Sequence, residues 1–148
     1  MLGDMELSDA LAAARARQQS VLTTIKRDGR PQLSNVGHAV GEDGLIRVSI
    51  TATRAKYHNV RRTPWAALHV NGRDFWSYVV LECDADLSEV ARDPHDAAVD
   101  ELVELYRAVA GKDHPDWEEY RQAMVSDQRV VLRLRPQRAY GLLPDQEE

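Results

Sequence analysis

The sequence is constrained most by short segments of alternating apolar and polar residues that are joined by tight turns. In residues 45–51, branched apolar side chains alternate with Arg, Ser and Thr, which places one face of a strand in the core. The Asp-Gly pair at residues 28–29 suits a hairpin turn, because glycine adopts positive φ angles without strain. A Gly-Glu-Asp-Gly turn at residues 41–44 precedes the next strand. Hairpin-linked strands of this kind favour a closed antiparallel barrel over a doubly wound sheet.

The same patterns predict the other strands and the helices. Strands are expected at residues 20–25, 31–40, 45–51, 65–70, 75–83, 128–135 and 139–142. Helices are expected at residues 8–17, 54–62 and, as a helical insertion, about 94–124. Ser8 can act as the N-cap of the first helix. Because a chain of 148 residues fits one core, we predict a single mainly β domain over residues 1–148, with six or seven antiparallel strands and a frayed tail at residues 144–148.

The charge and the cysteine content of the chain narrow the choice of partners and compartment. The formal net charge is −5, so the surface as a whole would repel nucleic acid and anionic lipid. The single cysteine, Cys83, cannot form an intrachain disulfide, which suits a reducing compartment. Residues 1–20 contain three acidic side chains and no apolar run of the length that a signal peptide or a membrane span needs. We expect a cytoplasmic protein with no nucleic-acid partner and no membrane partner.

Histidines and nucleophiles do not form a recognisable catalytic motif. The five histidines have no metal-ligand spacing, so no metal is expected, and neither H-E-x-x-H nor G-x-S-x-G occurs. No G-x-G-x-x-G or Walker sequence indicates a nucleotide-binding loop. Redox chemistry carried by a bound cofactor is therefore the simplest enzymatic hypothesis, because the protein then mainly positions and tunes the cofactor.

The strongest functional signal is a basic segment at residues 49–62. It contains four cations and no acid, although the chain as a whole is acidic. The hydroxyls of Ser49 and Thr51 end a strand, and Arg54 and Lys56 follow where a helix is expected to begin. A phosphate at this corner could receive hydroxyl, cationic and helix-terminal amide contacts. The alternative is an ordinary solvated helix face, but these cations come directly after the turn instead of being spread along the helix.

Two further segments could contact a heterocycle. Residues 31–36 form a polar-faced strand that offers backbone groups and amide side chains, although an ordinary edge strand has the same pattern. The Trp-Ser-Tyr run at residues 76–78 could stack on a ring, although aromatic residues in a long strand more often belong to a core or an interface. Arg61 and Arg62 are interpreted as surface residues or as contacts for an acidic tail of a cofactor.

These segments resemble the pyridoxamine-phosphate-oxidase-like split-barrel superfamily, and more narrowly its mycobacterial and actinobacterial F420-dependent branch. The resemblance rests on residues 23–25, 28–36, 48–50, 54–56, 59–62 and 64, and it continues through residues 76–78, 105–107, 117–127 and 140–142. It implies an antiparallel split β-barrel that forms a homodimer, with two cofactor sites in grooves between the subunits. The implied cofactor is the deazaflavin F420, and the alternative is FMN.

The resemblance also implies roles for individual residues. The phosphate would be held by Arg54 and Lys56 together with the strand end at Ser49, Ile50 and Thr51. The ring would be lined by Gln32, Leu33, Ser34 and Asn35. Asn59 would support the phosphate-binding segment, and Arg61 would contact the acidic tail. The site would be closed from the partner subunit by Trp76, Ser77 and Tyr78.

The implied activity is hydride transfer between reduced F420 and a small conjugated organic acceptor such as an enone, a quinone or a tetrapyrrole. No side chain is identified as the proton donor. One alternative is an FMN-dependent pyridoxamine phosphate oxidase, whose C-terminal Arg-Leu-His signature has only an echo at residues 132–136. A second is a non-catalytic F420 carrier with the same binding residues. A third is an RNA-binding barrel, which the negative net charge disfavours.

Overall fold

The described part of the chain, residues 4–144 of a computed structural model, is built on one curled antiparallel sheet. Its strands are β1 (Asp4–Met5), β2 (Gln19–Ile25), β3 (Pro31–Gly37), β4 (Ala39–Val40), β5 (Ile46–Thr51), β6 (Trp65–Asn71), β7 (Tyr78–Leu87) and β8 (Arg129–Leu142). The spatial order is β3-β2-β6-β7-β8-β5-β4, and β1 pairs with β8. Six of these strands have six or more residues, and β1 and β4 have two each. The predicted mainly β, antiparallel split-barrel architecture is confirmed.

Four helices accompany the sheet in the described residues. They are α1 (Leu7–Arg15), α2 (Ala55–Arg62), α3 (Ala97–Ala110) and α4 (Trp117–Ser126). The carboxylate of Asp96 caps α3 by accepting a hydrogen bond from the backbone N–H of Val99, and Gly111 ends this helix at a φ of 71°. No helix in residues 4–144 combines the length and the apolar character needed to cross a membrane.

The core has two parts, which lie on opposite sides of the sheet. Inside the curl, alternate residues of the strands pack together with Ala10 and Ala14 of α1 and Val60 of α2. On the other side, α3 and α4 pack over Val131 of β8. Strand β8 contributes to both parts because successive side chains point to opposite faces.

The return strand predicted at residues 31–40 is interrupted at His38. The His38 side chain is completely buried, with Nδ1 2.7 Å from Ser20 Oγ and Nε2 2.9 Å from the carbonyl oxygen of Ala14. Because a carbonyl oxygen can only accept, Nε2 carries the proton, and Nδ1 accepts from the Ser20 hydroxyl. The turn of this ring into the core separates β3 from β4.

The strand predicted at residues 75–83 begins three residues later, at Tyr78, and extends to Leu87. The carboxylate of Asp74 accepts hydrogen bonds from the backbone N–H groups of Trp76 and Ser77, at 2.9 and 3.0 Å. This side chain holds the preceding residues in a turn, so they are lost from the strand. Phe75 and Trp76 are consequently exposed, at 74% and 73%, instead of packing in a long strand.

Other predicted boundaries also shift. Helix α1 has Glu6, not Ser8, at its N-cap position, so the predicted Ser8 cap is wrong. The predicted helical insertion at about 94–124 is two helices, and the first begins three residues later than expected because the carboxylate of Asp96 caps α3, as that of Asp116 caps α4. The two strands predicted near the C-terminus are one strand, β8. All of β7 pairs with residues 132–142 of β8, so the pairing continues across the predicted break. A register shift beside Pro136 accommodates this residue, which cannot donate a ladder hydrogen bond.

The predicted tail at residues 144–148 falls almost entirely on residues 145–148, which lie outside the described residues.

Gly141 should be intolerant of any side chain. Its φ is 148°, and a Cβ atom would collide with the carbonyl oxygen of Tyr78 and lie 2.9 Å from the Cα of Val79. Gly44 also has a positive φ, of 81°, but a Cβ atom there would meet nothing within 4 Å. We expect Gly44→Ala to lower the free energy of unfolding by about 1 kcal/mol. We expect Gly141→Ala to lower it by about 3 kcal/mol or more, because backbone atoms must also move. Equal losses in urea unfolding would contradict the steric argument.

Burial should make His38 a source of acid sensitivity. Desolvation lowers its pKa, although the hydrogen bond to Ala14 acts in the opposite direction. The unfolded chain takes up a proton at this residue near pH 6.5, whereas the folded chain does so only at lower pH, so the free energy of unfolding falls as the pH drops below about 6.5.

We expect His38→Gln to reduce the slope of stability against pH between pH 7.5 and 5. The control His58→Gln should keep the slope, because His58 is exposed and forms no ion pair within residues 4–144. An NMR titration gives a second measurement that does not depend on a variant. A His38 resonance that titrates at the ordinary histidine pKa would contradict this expectation.

Candidate functional site

A small pocket lies where β5 leads into α2. Its volume is about 310 Å³. We call it the cation pocket, and it is lined by Asn35, Val36, Gly37, Ser49, Ile50, Thr51, Arg54, Lys56 and Arg129. Six of these residues were predicted from the sequence as ligand contacts. The pocket therefore brings together the predicted strand end, the predicted cations and three residues of β3, of which Asn35 was predicted.

Local chain geometry explains why the cations gather at this corner. Strand β5 ends at Thr51, and the backbone N–H of Arg54 donates to the Thr51 carbonyl oxygen at 3.0 Å, which closes a tight turn. Helix α2 then begins at Ala55, and no side chain caps its N-terminus. The positive end of the helix and the side chains of Arg54 and Lys56 are thus presented at the same place.

The pKa of Lys56 shows the effect of the other cations in the pocket. Its pKa is lowered first by desolvation and then by repulsion from Arg54 and Arg129. Arg54 and Arg129 are therefore close enough to Lys56 to disfavour its charge. A ligand with negative charge would relieve this repulsion.

Arg129 is the charged residue of the cation pocket that sequence reasoning missed, together with Val36 and Gly37. It lies opposite Thr51 in the β5–β8 ladder, and its Nη1 atom is 3.5 Å from Ser49 Oγ. Its Nε atom is buried and has no hydrogen-bond partner, and the nearest carboxylate oxygen, on Asp127, is 3.9 Å away. A buried guanidinium N–H without a partner is costly unless a ligand accepts its hydrogen bond. The alternating pattern of residues 128–135 predicts a strand that contains Arg129. It does not predict which strand is its neighbour in the sheet.

Backbone strain precedes Arg129. Gln128 is the one non-glycine residue with a positive φ, 54°, in the described part of the chain. Its carbonyl oxygen accepts a hydrogen bond from the N–H of Ala52 at 2.9 Å, so the strained residue joins the end of β5 to the start of β8. Gln128 follows the C-cap of α4, and its N–H donates to the carbonyl oxygen of Val125 at 3.1 Å, so the left-handed conformation ends this helix directly before Arg129.

Asn59 and Gln32 lie outside the cation pocket and hold its parts in place. Asn59 is buried and donates from Nδ2 to Thr24 Oγ1 at 3.1 Å and to Gln32 Oε1 at 3.0 Å. Arg62 donates from Nη2 to Asn59 Oδ1 at 2.9 Å and to the carbonyl oxygen of Ile25 at 3.1 Å. This network ties α2 to β2 and β3, so Arg62 has a structural partner and is not simply a surface residue.

The other predicted residues lie apart from the cation pocket. Leu33 is 61% exposed on the edge strand β3, and Ser34 follows it on the same strand. Arg61 lies over the ring of Tyr57, with Cζ 5.6 Å from the ring centroid. None of these three residues lines the cation pocket.

The Trp-Ser-Tyr run lies at the β6–β7 connection and does not line the cation pocket. Trp76 points into solvent, whereas Ser77 is completely buried and donates to the carbonyl oxygen of Asp74 at 3.3 Å. Tyr78 stacks on His69 with 5.3 Å between ring centroids and 15° between planes. The Ser77 side chain therefore stabilises the loop to which it belongs.

Comparison with known proteins supports the same fold. The sequence profile of the family described as pyridoxamine 5'-phosphate oxidase matches residues 7–143. A conserved hypothetical protein from Mycobacterium tuberculosis has a TM-score of 0.69 and 20% identity, over 91% of this chain and 82% of its own. An F420 reductase has a TM-score of 0.61 and 22% identity, over 84% and 91%. The heme storage protein HutZ from Vibrio cholerae has a TM-score of 0.62 and 15% identity, over 90% and 92%.

The cation pocket should bind inorganic phosphate, and this binding should depend on Arg129. Ligands that bind only the folded state raise its stability, so phosphate should raise the melting temperature as its concentration rises. We expect Arg129→Gln to shift the half-maximal phosphate concentration up by about tenfold, because a charge-assisted hydrogen bond is lost. Arg135→Gln is the control, since Arg135 is an exposed residue of the same strand. The same shift in both variants would indicate diffuse charge.

Proposed function

The chain belongs to the pyridoxamine 5'-phosphate oxidase family, and we propose that it is an F420-dependent oxidoreductase of that family. In this proposal it transfers hydride between reduced F420 and a small conjugated organic acceptor. The observation that carries the proposal is the cation pocket, in which Arg54, Lys56 and Arg129 converge beside the hydroxyls of a strand end.

The residues of the cation pocket fit the phosphate of a flavin-type cofactor. The unpartnered Nε of Arg129 supplies a donor that nothing in the described residues uses. Arg54, Lys56 and the first amides of α2 supply further donors and positive charge. Ser49 and Thr51 add hydroxyls that can donate to phosphate oxygens. A phosphate group here would lower the repulsion that now depresses the pKa of Lys56.

The edge strand β3 is suited to contact a heterocycle. Within residues 4–144 it pairs only with β2, so its other edge presents backbone N–H and C=O groups that have no ladder partner in this part of the chain. Asn35 of this strand lines the cation pocket, which puts the edge next to the phosphate position. We infer that Gln32, Leu33, Ser34 and Asn35 line the ring, with the Gln32 side chain acting through Asn59.

The cations of α2 favour F420 over FMN. Arg54 is the N-cap residue of α2 and Arg61 lies in its last turn, so the two cations stand about 10 Å apart along the helix axis. F420 carries a carboxylate-bearing tail beyond its phosphate, and FMN ends at the phosphate. A cation at this distance from the phosphate position would contact only the longer molecule. The F420 reductase among the structural relatives is consistent with this choice.

A second copy of the chain would complete the site in this proposal. Leu33 on the edge strand and Trp76 on the β6–β7 connection are large apolar side chains that stand in solvent. Burial of both in a homodimer would remove this apolar surface from water. Trp76 and Tyr78 would then close the cofactor site from the partner subunit.

The chain's own residues would bind, orient and shield the reacting centre. When bound, F420 supplies the two-electron hydride chemistry. The cation pocket fixes the phosphate end, β3 fixes the ring, and the apolar side chains at the proposed subunit contact exclude water. Orientation of this kind is the main contribution a protein can make when its cofactor carries the reaction.

Titration of the cofactor-free protein with F420 and with FMN tests the proposal. We expect saturable F420 binding, and about tenfold weaker binding for both Arg54→Ala and Lys56→Ala, because each change removes a charge-assisted contact with the phosphate. Arg61→Ala should weaken F420 binding less and leave FMN binding unchanged. Cofactor fluorescence or calorimetry provides the dissociation constants.

The outcomes of this titration separate the alternatives. Binding of FMN without F420 would exclude the deazaflavin assignment but keep the family. Tight F420 binding without turnover of enones, quinones or conjugated carboxylic acids would identify a carrier. Heme that copurifies with the protein and saturates it, seen as a Soret band, would place the chain with the heme-storage relatives instead.

A further inference from the structure

A second groove lies on the sheet beside the cation pocket. Its volume is about 880 Å³. It shares Asn35, Val36 and Gly37 with the cation pocket. We call it the outer groove, because its residues Val21 and His69 alternate with Leu22 and Leu68, which point into the core. A ligand in the outer groove would lie directly against a ligand in the cation pocket.

The chemistry of the outer groove favours an anion with several hydrogen-bonding groups. No acidic side chain among residues 4–144 lines it, although the chain has a net charge of −5. Its polar side chains are one arginine, one histidine, one serine and four amides, namely Arg17, His69, Ser20, Gln18, Gln19, Asn35 and Asn71. Amides can donate and accept, so they tolerate many oxygen positions, whereas the arginine selects negative charge.

Arg17 is held in position but keeps donors for a ligand. Its Nη2 atom donates to the carbonyl oxygen of Gly72 at 3.1 Å. No carboxylate in residues 4–144 forms an ion pair with Arg17. The guanidinium has five N–H donors in a planar fork, so several remain to bind a carboxylate side-on.

His69 gives the outer groove a flat wall. Its ring stacks on Tyr78, with 5.3 Å between centroids and 15° between planes, and this contact fixes the orientation of the imidazole. Val21 lies opposite His69 in the β2–β6 ladder, and Asn35 lies opposite Val21 in the β2–β3 ladder. The three side chains form a row across the sheet, long enough to support a planar molecule.

We propose that the outer groove binds a planar conjugated carboxylate, with the carboxylate on Arg17 and the plane against His69. The position of the groove beside the cation pocket makes this ligand the hydride acceptor, a role that rests on the proposed function. The binding itself requires only residues of the groove. The substrate class is therefore conjugated acids, as opposed to neutral enones or quinones.

Calorimetric titration of the cofactor-free protein with cinnamate tests the binding. Cinnamyl alcohol, which has the same conjugated plane and no charge, is the matched ligand, and we expect it to bind about tenfold more weakly or worse. Arg17→Gln should weaken cinnamate binding about tenfold, because the charge-assisted contact is lost.

Arg15→Gln is the matched control variant. Arg15 lies two residues before Arg17 and donates to the carbonyl oxygen of Gly41 at 3.2 Å, yet it does not line the outer groove. This variant should bind cinnamate like the unmodified protein. Equal affinity of the Arg17→Gln and unmodified proteins for cinnamate, or equal affinity for cinnamate and the alcohol, would overturn the proposal.

A parallel titration with F420 keeps the two proposals separate. Arg17→Gln should bind F420 normally, and Arg54→Ala should bind cinnamate normally. Displacement of cinnamate by saturating F420 would overturn the acceptor site, because the groove would then belong to the cofactor. If F420 fails to bind while cinnamate binding still requires Arg17, the groove is supported and only the redox role is lost.

Discussion

The antiparallel pairing of β5 with β8 is the interaction on which both the core and the candidate site depend. Three aliphatic residues of each strand face the interior, and all six are at most 1% exposed: Ile46, Val48, Ile50, Val130, Leu132 and Leu134. Their burial contributes on the order of 10 kcal/mol before the entropy of folding is subtracted. The same register places Thr51 opposite Arg129, so the packing of the core decides where the third cation of the pocket stands.

The cations near this strand pair are paired with an acid on its outer face and lie close together at its end. On the outside, Glu101 of α3 accepts hydrogen bonds from Arg47 of β5 at 2.9 Å and from Arg133 of β8 at 2.7 Å. Hydrogen bonding to Arg133 and then Arg47 lowers the pKa of Glu101, so α3 is held on both strands by a satisfied carboxylate. At the strand ends, by contrast, Arg54 and Arg129 lie close enough to Lys56 to lower its pKa. Like charges gathered at one corner beside a buried guanidinium N–H favour an anionic ligand there.

Local sequence signals predicted the parts of the fold that form over short distances. The turns at residues 28–29 and 41–44 were predicted from glycine, and Gly29 and Gly44 do have positive φ angles. The corner between β5 and α2 was predicted because the strand end and the helix start are adjacent in the sequence. Predictions failed where one side chain redirected the backbone, as with the buried His38 and with Asp74, whose carboxylate holds a turn at the start of a predicted strand.

The sequence by itself determined the antiparallel strand pattern, the cationic corner and the family resemblance, because each depends on neighbouring residues and their alternation. Only the tertiary structure decided that Arg129 joins the cation pocket, that Asn59 links α2 to β2 and β3, and that the outer groove adjoins the pocket at Asn35. These features arise from strand order and register, which are set by how distant apolar faces pack against each other. Side chains far apart in the chain meet only after that packing has curled the sheet.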